Sequence, residues 1–235
     1  MNRRIWELDA LRGLCVIGMV IVHLIYDASE LFDLISFDLP SLFDVVQDWG
    51  GVTFLLISGI CATLGSRSVR RGFLVFGCGM AVTAVTAAGY LLGFYGRGMI
   101  IWFGVLHCLG ICMILWPEFR RFPPLILAVF GVMLCLLGWK VQNITLEFPW
   151  LTPLGLTTRW FASSDYYPIL PYFGFFLMGA VLGKTLYRNK KSLLSNVNTH
   201  SFPISFLLLC GKHSLPIYLL HQPVLLAGMT VISLI

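Results

Sequence analysis

The chain has 235 residues, of which 58% are hydrophobic and only 11% are charged, and its formal net charge is +5. Soluble domains carry about 25% charged residues, so this composition excludes an ordinary soluble domain. Apolar blocks long enough to cross a bilayer recur along the whole chain and predict a polytopic membrane protein. The positive charges follow the loops between these blocks, so nucleic acid is not an expected partner.

The apolar blocks predict an all-α fold: a bundle of about seven transmembrane helices forming one membrane-embedded domain over residues 1–235. The predicted spans are 10–28, 49–65, 72–94, 98–116, 123–139, 168–187 and 213–234. A further apolar segment, 202–210, is too short to cross the bilayer and is predicted to be interfacial or re-entrant. The proline- and aromatic-rich segment 140–167 is predicted to form an ordered cap. Gly179 and Gly183 predict close helix packing in the sixth span.

Basic residues mark alternate loops. Lys and Arg cluster before the first span and in the loops 66–71, 117–122 and 184–212, whereas residues 27–48 contain Asp and Glu but no Lys or Arg. Positive loops stay in the cytoplasm, so we expect a cytoplasmic N-terminus and an external C-terminus.

Ionisable residues interrupt the first span, which reads RRIWELDALRGLCVIGMVIVHLIYD over residues 3–27. On a helical wheel Asp9, Arg12, His23 and Asp27 fall within one stripe about 80° wide. Their spacing predicts an Asp9–Arg12 pair near the cytoplasmic end and a His23–Asp27 pair near the outer end. Intramembrane ionisable groups are costly and by default indicate a functional site. The structural alternatives are a pair that pins helices together and a core histidine bonded to a neighbouring helix.

Two more histidines and one carboxylate are candidates. His107 is expected about 14 Å below the outer surface, at a depth similar to that of His23, which suggests a shared polar chamber. His221 lies on one stripe of the last span with Ser214, and Asp165 lies at the outer mouth of the sixth span. The alternatives are hydrogen-bonded structural histidines and a solvated loop carboxylate.

The seven cysteines lie inside apolar blocks, where we expect them to be small packing residues. Cys108 and Cys112 are four residues apart, but no His or carboxylate accompanies them at ligand spacing. No metal site is therefore predicted.

Five stretches of the sequence together resemble a known family. The first is Arg4-x-x-x-Leu8-Asp9-x-Leu11-Arg12-Gly13 followed by His23 in the same helix. The others are ISGICATLGSR at 57–67, FGVLHCLGICMIL at 103–115, DYYPILPYFGFFLMGAVLG at 165–183 and GKHSLPIYLLHQPVLL at 211–226. In this order, over nearly the whole chain, they resemble the membrane acyltransferases, and within these the bacterial relatives of the heparan-α-glucosaminide N-acetyltransferase catalytic domain. The chain is shorter than the larger members, so heparan sulfate itself is not implied.

The resemblance implies transfer of an acyl group, typically acetyl, from cytoplasmic acyl-CoA to a hydroxyl or amine of a sugar or glycan acceptor at the outer face. The match to the family's essential first-helix histidine is His23. The predicted catalytic residues are His23, Asp27, His107 and Asp165. The predicted residues for binding acetyl-CoA are Asp9, Arg12, Lys212, Ser214 and His221. A bacterial inner membrane is the expected location, and a homodimer is left open.

Two mechanisms and two other functions remain open at this stage. His23 can act as a base oriented by Asp27, or His23 or His107 can carry the acyl group as an acyl-imidazole. A small transporter or flippase for a glycolipid or polar metabolite would also use a polar chamber between proline-broken helices, although we find no inverted repeat. A structural scaffold would leave the ionisable stripe unexplained. The acceptor and the acyl chain are not identified by the sequence.

Overall fold

The computed structural model describes residues 5–33, 41–194, 197–199 and 201–233. Within these residues it contains eight α-helices and one pair of two-residue parallel strands, β1 (Thr145–Leu146) and β2 (Thr157–Thr158). The helices are α1 (Trp6–Tyr26), α2 (Ser41–Leu64), α3 (Ser68–Leu91), α4 (Val105–Phe119), α5 (Pro124–Val141), α6 (Ile169–Thr185), α7 (Phe202–Lys212) and α8 (Ser214–Ser233). The predicted helical class is confirmed. Arg4 of the first-helix motif and residues 34–40 of the acidic loop lie outside the described residues.

The helices indicate an integral membrane protein. Within the described residues, four helical stretches are long and apolar enough to cross a membrane: Trp6–Ser29, Ser68–Leu91, Pro124–Val141 and Ser214–Ser233. The other predicted spans coincide with shorter apolar helices, at Trp49–Leu64, Val105–Phe119 and Ile169–Thr185. The predicted number of seven spans is therefore not confirmed. Helix α7, with 11 residues, is about 16 Å long, which agrees with the prediction that this segment is too short to span.

The largest difference from the predicted spans precedes α4. The sequence predicts one helix over 98–116, but Arg97–Met99 form a 3-10 turn and Phe103 pairs with Tyr166 through an isolated parallel β-bridge. Gly104 has an extended backbone and α4 begins only at Val105. Apolar composition indicates burial without distinguishing a helix from an extended segment, which explains the error. His107 consequently lies in the first turn of α4 rather than deep within a helical span.

The chain forms two compact units: residues 1–54 together with 190–235, and residues 55–189. In the first unit, α1 packs against α7 and α8. Two glycines, Gly13 and Gly211, bring the backbones of α1 and α7 into contact, because a Cβ atom at either position would overlap a backbone carbonyl oxygen of the other helix. Small residues allow such close helix packing.

In the second unit, α3 packs against α4, and α6 packs against α5 and α4. Gly179 and Gly183 of α6 lie against the backbone of the second half of α2, so the predicted close packing of this pair is confirmed. The fully buried core of this unit includes Leu55, Leu127 and Phe176.

The loop between α5 and α6 contains regular structure, as predicted for an ordered cap. Strands β1 and β2 pair with each other, and a 3-10 turn occupies Thr152–Leu154 between them. The hydroxyl of Tyr166 donates to the carbonyl oxygen of Thr152 at 2.7 Å, which fastens the end of the loop to this turn.

Candidate functional site

Most of the predicted site residues lie in the first unit, at two levels along α1. Asp9 and Arg12 are near its beginning, whereas His23 and the adjoining Asp27 are near its end. The 14 residue steps from Asp9 to His23 correspond to about 21 Å along the helix axis. The unit thus contains two polar clusters, which we call the donor end (Asp9, Arg12, Lys212 and Ser214) and the histidine end (His23, Asp27, His221 and Gln222).

At the donor end, the predicted pair of Asp9 and Arg12 is present. The Asp9 carboxylate lies 3.8 Å from the Arg12 guanidinium, and their side chains are only 8% and 21% exposed. The backbone contact between Gly211 and Asp9 brings the end of α7 to this level of α1. Lys212 is the next residue and is exposed, and Ser214 begins α8 two residues later. Four of the five residues predicted to bind the acyl donor therefore gather at one end of the unit.

Glu7 is a buried residue of the first turn of α1 that the sequence analysis did not single out. Its carboxylate accepts hydrogen bonds from the hydroxyl of Ser192 at 2.8 Å and from the backbone N–H of Leu193 at 2.7 Å. The indole N–H of Trp6 donates to the carbonyl oxygen of Leu194 at 3.1 Å. These bonds attach the segment before α7 to the start of α1. An acidic residue in a first helical turn is ordinary, so its sequence position alone gave no signal.

At the histidine end, two imidazole rings meet. His23 and His221 have ring centroids 4.9 Å apart in an edge-on arrangement. Nδ1 of His23 lies 2.9 Å from the carbonyl oxygen of Met19, and Nδ1 of His221 lies 2.6 Å from that of Tyr218. Because a carbonyl oxygen only accepts, each Nδ1 carries the proton, and each neutral ring presents a lone pair at Nε2.

His221 lies apart from the other residues predicted to bind acetyl-CoA, and its role in binding stays a prediction. The sequence analysis grouped it with the residues that bind acetyl-CoA, but the structure places it against His23 at the other end of α1. The hydrogen bond from its Nδ1 atom to its own helix agrees with the alternative that His221 is a hydrogen-bonded structural histidine. Its Nε2 atom is not used by that bond.

Asp27 lies where α1 passes into a π-helical turn, Asp27–Leu31. The residue is 1% exposed, and both of its carboxylate oxygens accept from the amide nitrogen of Gln222, at 3.1 and 2.9 Å. Among the described contacts, His23 and Asp27 share no direct hydrogen bond: Nδ1 of His23 is bonded to its own helix, and the Asp27 carboxylate accepts from Gln222 of α8. Spacing alone cannot reveal such competing partners, nor the change of helical register that a π turn introduces.

Gln222 was missed by the sequence analysis, although a signal existed. An amide inside a mostly apolar helix needs hydrogen-bond partners for the same reason as a histidine does. Its position directly after His221 was the available clue.

His107 belongs to the second unit and holds the start of α4. The backbone N–H of Gly104 donates to Nδ1 of His107 at 3.2 Å, so the ring proton is on Nε2, which lies 3.3 Å from the hydroxyl oxygen of Thr83. That hydroxyl in turn donates to the carbonyl oxygen of Ile101 at 2.6 Å. Both ring nitrogens thus have structural partners. These contacts favour the structural alternative, and a catalytic role for His107 stays a prediction.

Asp165 lies at the same helix end. Its Oδ2 atom accepts from the backbone N–H of Val105 at 3.1 Å, which satisfies one of the unpaired donors of the first turn of α4. The negative charge is also favourable at a helix N-terminus. The structure therefore brings Asp165 and His107 together as neighbours of one helix end. The catalytic roles predicted for Asp165 and His107, and the polar chamber predicted to be shared by His107 and His23, stay predictions.

The comparison with protein-family models places nearly the whole chain in one family. Residues 4–223 match the model described as heparan-alpha-glucosaminide N-acetyltransferase, catalytic. Searches of curated proteins and of solved structures found no match. The matched range includes both the donor end and the histidine end.

Proposed function

The chain belongs to the heparan-alpha-glucosaminide N-acetyltransferase catalytic family, and we propose that it transfers an acetyl group from cytoplasmic acetyl-CoA to a sugar-type acceptor at the outer face of a bacterial inner membrane. The family membership supports an acyltransferase-type membrane enzyme. The alternation of basic and acidic loops supports a cytoplasmic N-terminus and an external C-terminus.

The observation that carries the proposal is the hydrogen bond from Nδ1 of His23 to Met19, which leaves the Nε2 lone pair for chemistry. In the direct mechanism, Nε2 takes the proton from the acceptor hydroxyl or amine as that group attacks the thioester carbonyl carbon. The carbon–sulfur bond then breaks, and the imidazolium returns the proton to the departing thiolate. In the alternative mechanism, Nε2 itself attacks the carbonyl carbon, the carbon–sulfur bond breaks, and CoA leaves as the thiolate. The ring carries the acetyl group as an acyl-imidazole until the acceptor hydroxyl or amine attacks it, the carbon–nitrogen bond to the ring breaks, and the proton of the acceptor passes to the thiolate.

Asp27 supports either mechanism through its charge. A buried carboxylate four residues from His23 favours the positively charged ring that forms during the reaction. Gln222 holds this carboxylate in place through two hydrogen bonds. Asp27 thus acts electrostatically in this proposal, rather than by orienting the ring through a direct bond.

The donor end supplies cations for the phosphates of CoA. Arg12 is held by Asp9, and the exposed Lys212 follows Gly211, whose backbone contacts that of Asp9. Cationic side chains form strong charge-assisted hydrogen bonds to phosphate oxygens. Since the donor end lies about 21 Å from His23 along α1, the pantetheine arm of the donor must lie along this helix.

Removal of the imidazole tests the proposal. The purified wild type and His23→Ala, in lipid nanodiscs, are given acetyl-CoA and glucosamine, and the release of CoA thiol is followed. General base catalysis contributes about 10²–10⁴-fold, so we expect a loss of that size in His23→Ala. His213→Ala is the matched control, because His213 also bonds to its own helix through Nδ1 but is exposed. A well-folded His23→Ala with the wild-type rate would contradict the assignment.

A further inference from the structure

Gln222 contacts the buried carboxylate of Asp27 and also carries a buried oxygen without a hydrogen bond in the described part of the chain. Its amide nitrogen donates to both oxygens of Asp27. Only the nitrogen of the amide can donate, so these two contacts set the orientation of the group. The oxygen Oε1 must then point away from Asp27. It is buried and has no hydrogen-bond partner in the described part of the chain.

The neighbouring His221 repeats this arrangement. Its Nδ1–H is committed to the carbonyl oxygen of Tyr218, so Nε2 carries only a lone pair in the neutral ring. This atom is also buried and lacks a partner. Among the residues that the structure describes, Oε1 of Gln222 and Nε2 of His221 are the two buried side-chain polar atoms without a hydrogen bond.

Two orphaned atoms on consecutive residues indicate a binding function. Buried polar groups are nearly always hydrogen-bonded, and an exception in a native structure requires an explanation. Both atoms are acceptors by their chemistry, so the missing partner must supply hydrogen-bond donors. The His221 ring is in contact with that of His23, so a ligand that satisfies these acceptors is held beside the reactive imidazole.

We propose that Oε1 of Gln222 and Nε2 of His221 form an acceptor-only subsite that binds the hydroxyl or amino hydrogens of the acyl acceptor, with Gln222 as the residue that selects among acceptors. This inference rests on the proposed function, since it describes recognition at the same site. The subsite discriminates against an acceptor that lacks the matching hydroxyl, because the buried oxygen is then left without a partner. It takes neutral donor-rich groups such as sugar hydroxyls and rejects groups that only accept, such as a carboxylate.

The test measures binding, which does not depend on acetyl transfer. Glucosamine and a set of analogues that each lack one hydroxyl group are titrated by calorimetry into the full chain in nanodiscs. We expect one deoxy analogue to bind the wild type about tenfold more weakly than glucosamine, the size expected for a lost hydrogen bond to a buried group. In Gln222→Met, which has a similar size but no amide, that difference should disappear. Any general damage from the loss of the Asp27 contact affects glucosamine and the analogue alike, so it cancels in the ratio.

Thr230→Val is the matched control on the same helix. Thr230 is exposed and its hydroxyl donates to the carbonyl oxygen of Leu226 in the same helix, so this variant should keep the wild-type ratio. The inference is overturned if no analogue differs from glucosamine in the wild type, if glucosamine does not bind, or if Gln222→Met keeps the full difference. Acetyl transfer is measured separately on the same samples. Selective binding without any transfer would retain the subsite and overturn the proposed function instead.

Discussion

Substitution of Asp165 distinguishes a structural role of this residue from a catalytic role. Asp165→Ala removes the oxygen that accepts from the N–H of Val105 at the start of α4. Loss of such a cap costs about 1 kcal/mol, and loss of the negative charge at the helix N-terminus adds about 0.3–1 kcal/mol. We expect the free energy of unfolding to fall by roughly 1.5 kcal/mol on these grounds, while kcat changes little at temperatures where the protein is folded.

The assay combines thermal unfolding of the purified protein with acetyl transfer measured well below the transition. Asp165→Asn keeps an accepting oxygen and loses only the charge, so its destabilisation should be the smaller of the two. Glu147→Ala removes an exposed carboxylate from the same loop and should leave the unfolding temperature unchanged. If Asp165→Ala had the unfolding temperature of the wild type but a kcat lower by orders of magnitude, the assignment of a structural role to Asp165 would be wrong.

Three further substitutions probe the first unit. Gly211→Val places a side chain against the carbonyl oxygen of Asp9 and forces α1 and α7 apart, so we expect a loss of about 1–3 kcal/mol in unfolding free energy, measured by thermal denaturation. Glu7→Ala leaves the N–H of Leu193 without its acceptor and should increase protease cleavage near this residue, whereas Glu7→Gln should show less cleavage. Arg12→Ala should raise KM for acetyl-CoA about tenfold or more with kcat nearly unchanged, and an unchanged KM would remove Arg12 from the donor site.

Much of the helical structure could be predicted, because apolar blocks of bilayer length and pairs of small residues can be recognised in the sequence itself. The starts of α5 and α8 and the packing of Gly179 and Gly183 follow from such local features. The segment before α4 could not be predicted in this way. Its residues are apolar enough for a helix, but Phe103 pairs with Tyr166, more than sixty positions away, and no local pattern encodes that bridge.

In the site, too, a contact within one helix could be predicted, whereas contacts with distant segments could not. The pair of Asp9 and Arg12 depends only on residues three apart in one helix, and it is present. A direct hydrogen bond between His23 and Asp27 could not be judged from spacing, because each residue has another partner: Met19 within the helix for His23, and Gln222 on a distant helix for Asp27. The contact of His221 with His23 likewise results from the packing of α1 against α8, which cannot be predicted from the spacing of residues along the sequence.

A reconstituted vesicle tests the central claim most directly. The protein is inserted in vesicles with acetyl-CoA enclosed on the side of the N-terminus and glucosamine supplied only on the opposite side. The account predicts N-acetylglucosamine on the glucosamine side and CoA thiol on the enclosed side, with both forming about 10²–10⁴-fold more slowly with His23→Ala. Movement of unmodified glucosamine across the membrane without acetyl-CoA, and no acetylated product in its presence, would contradict the account and identify a transporter.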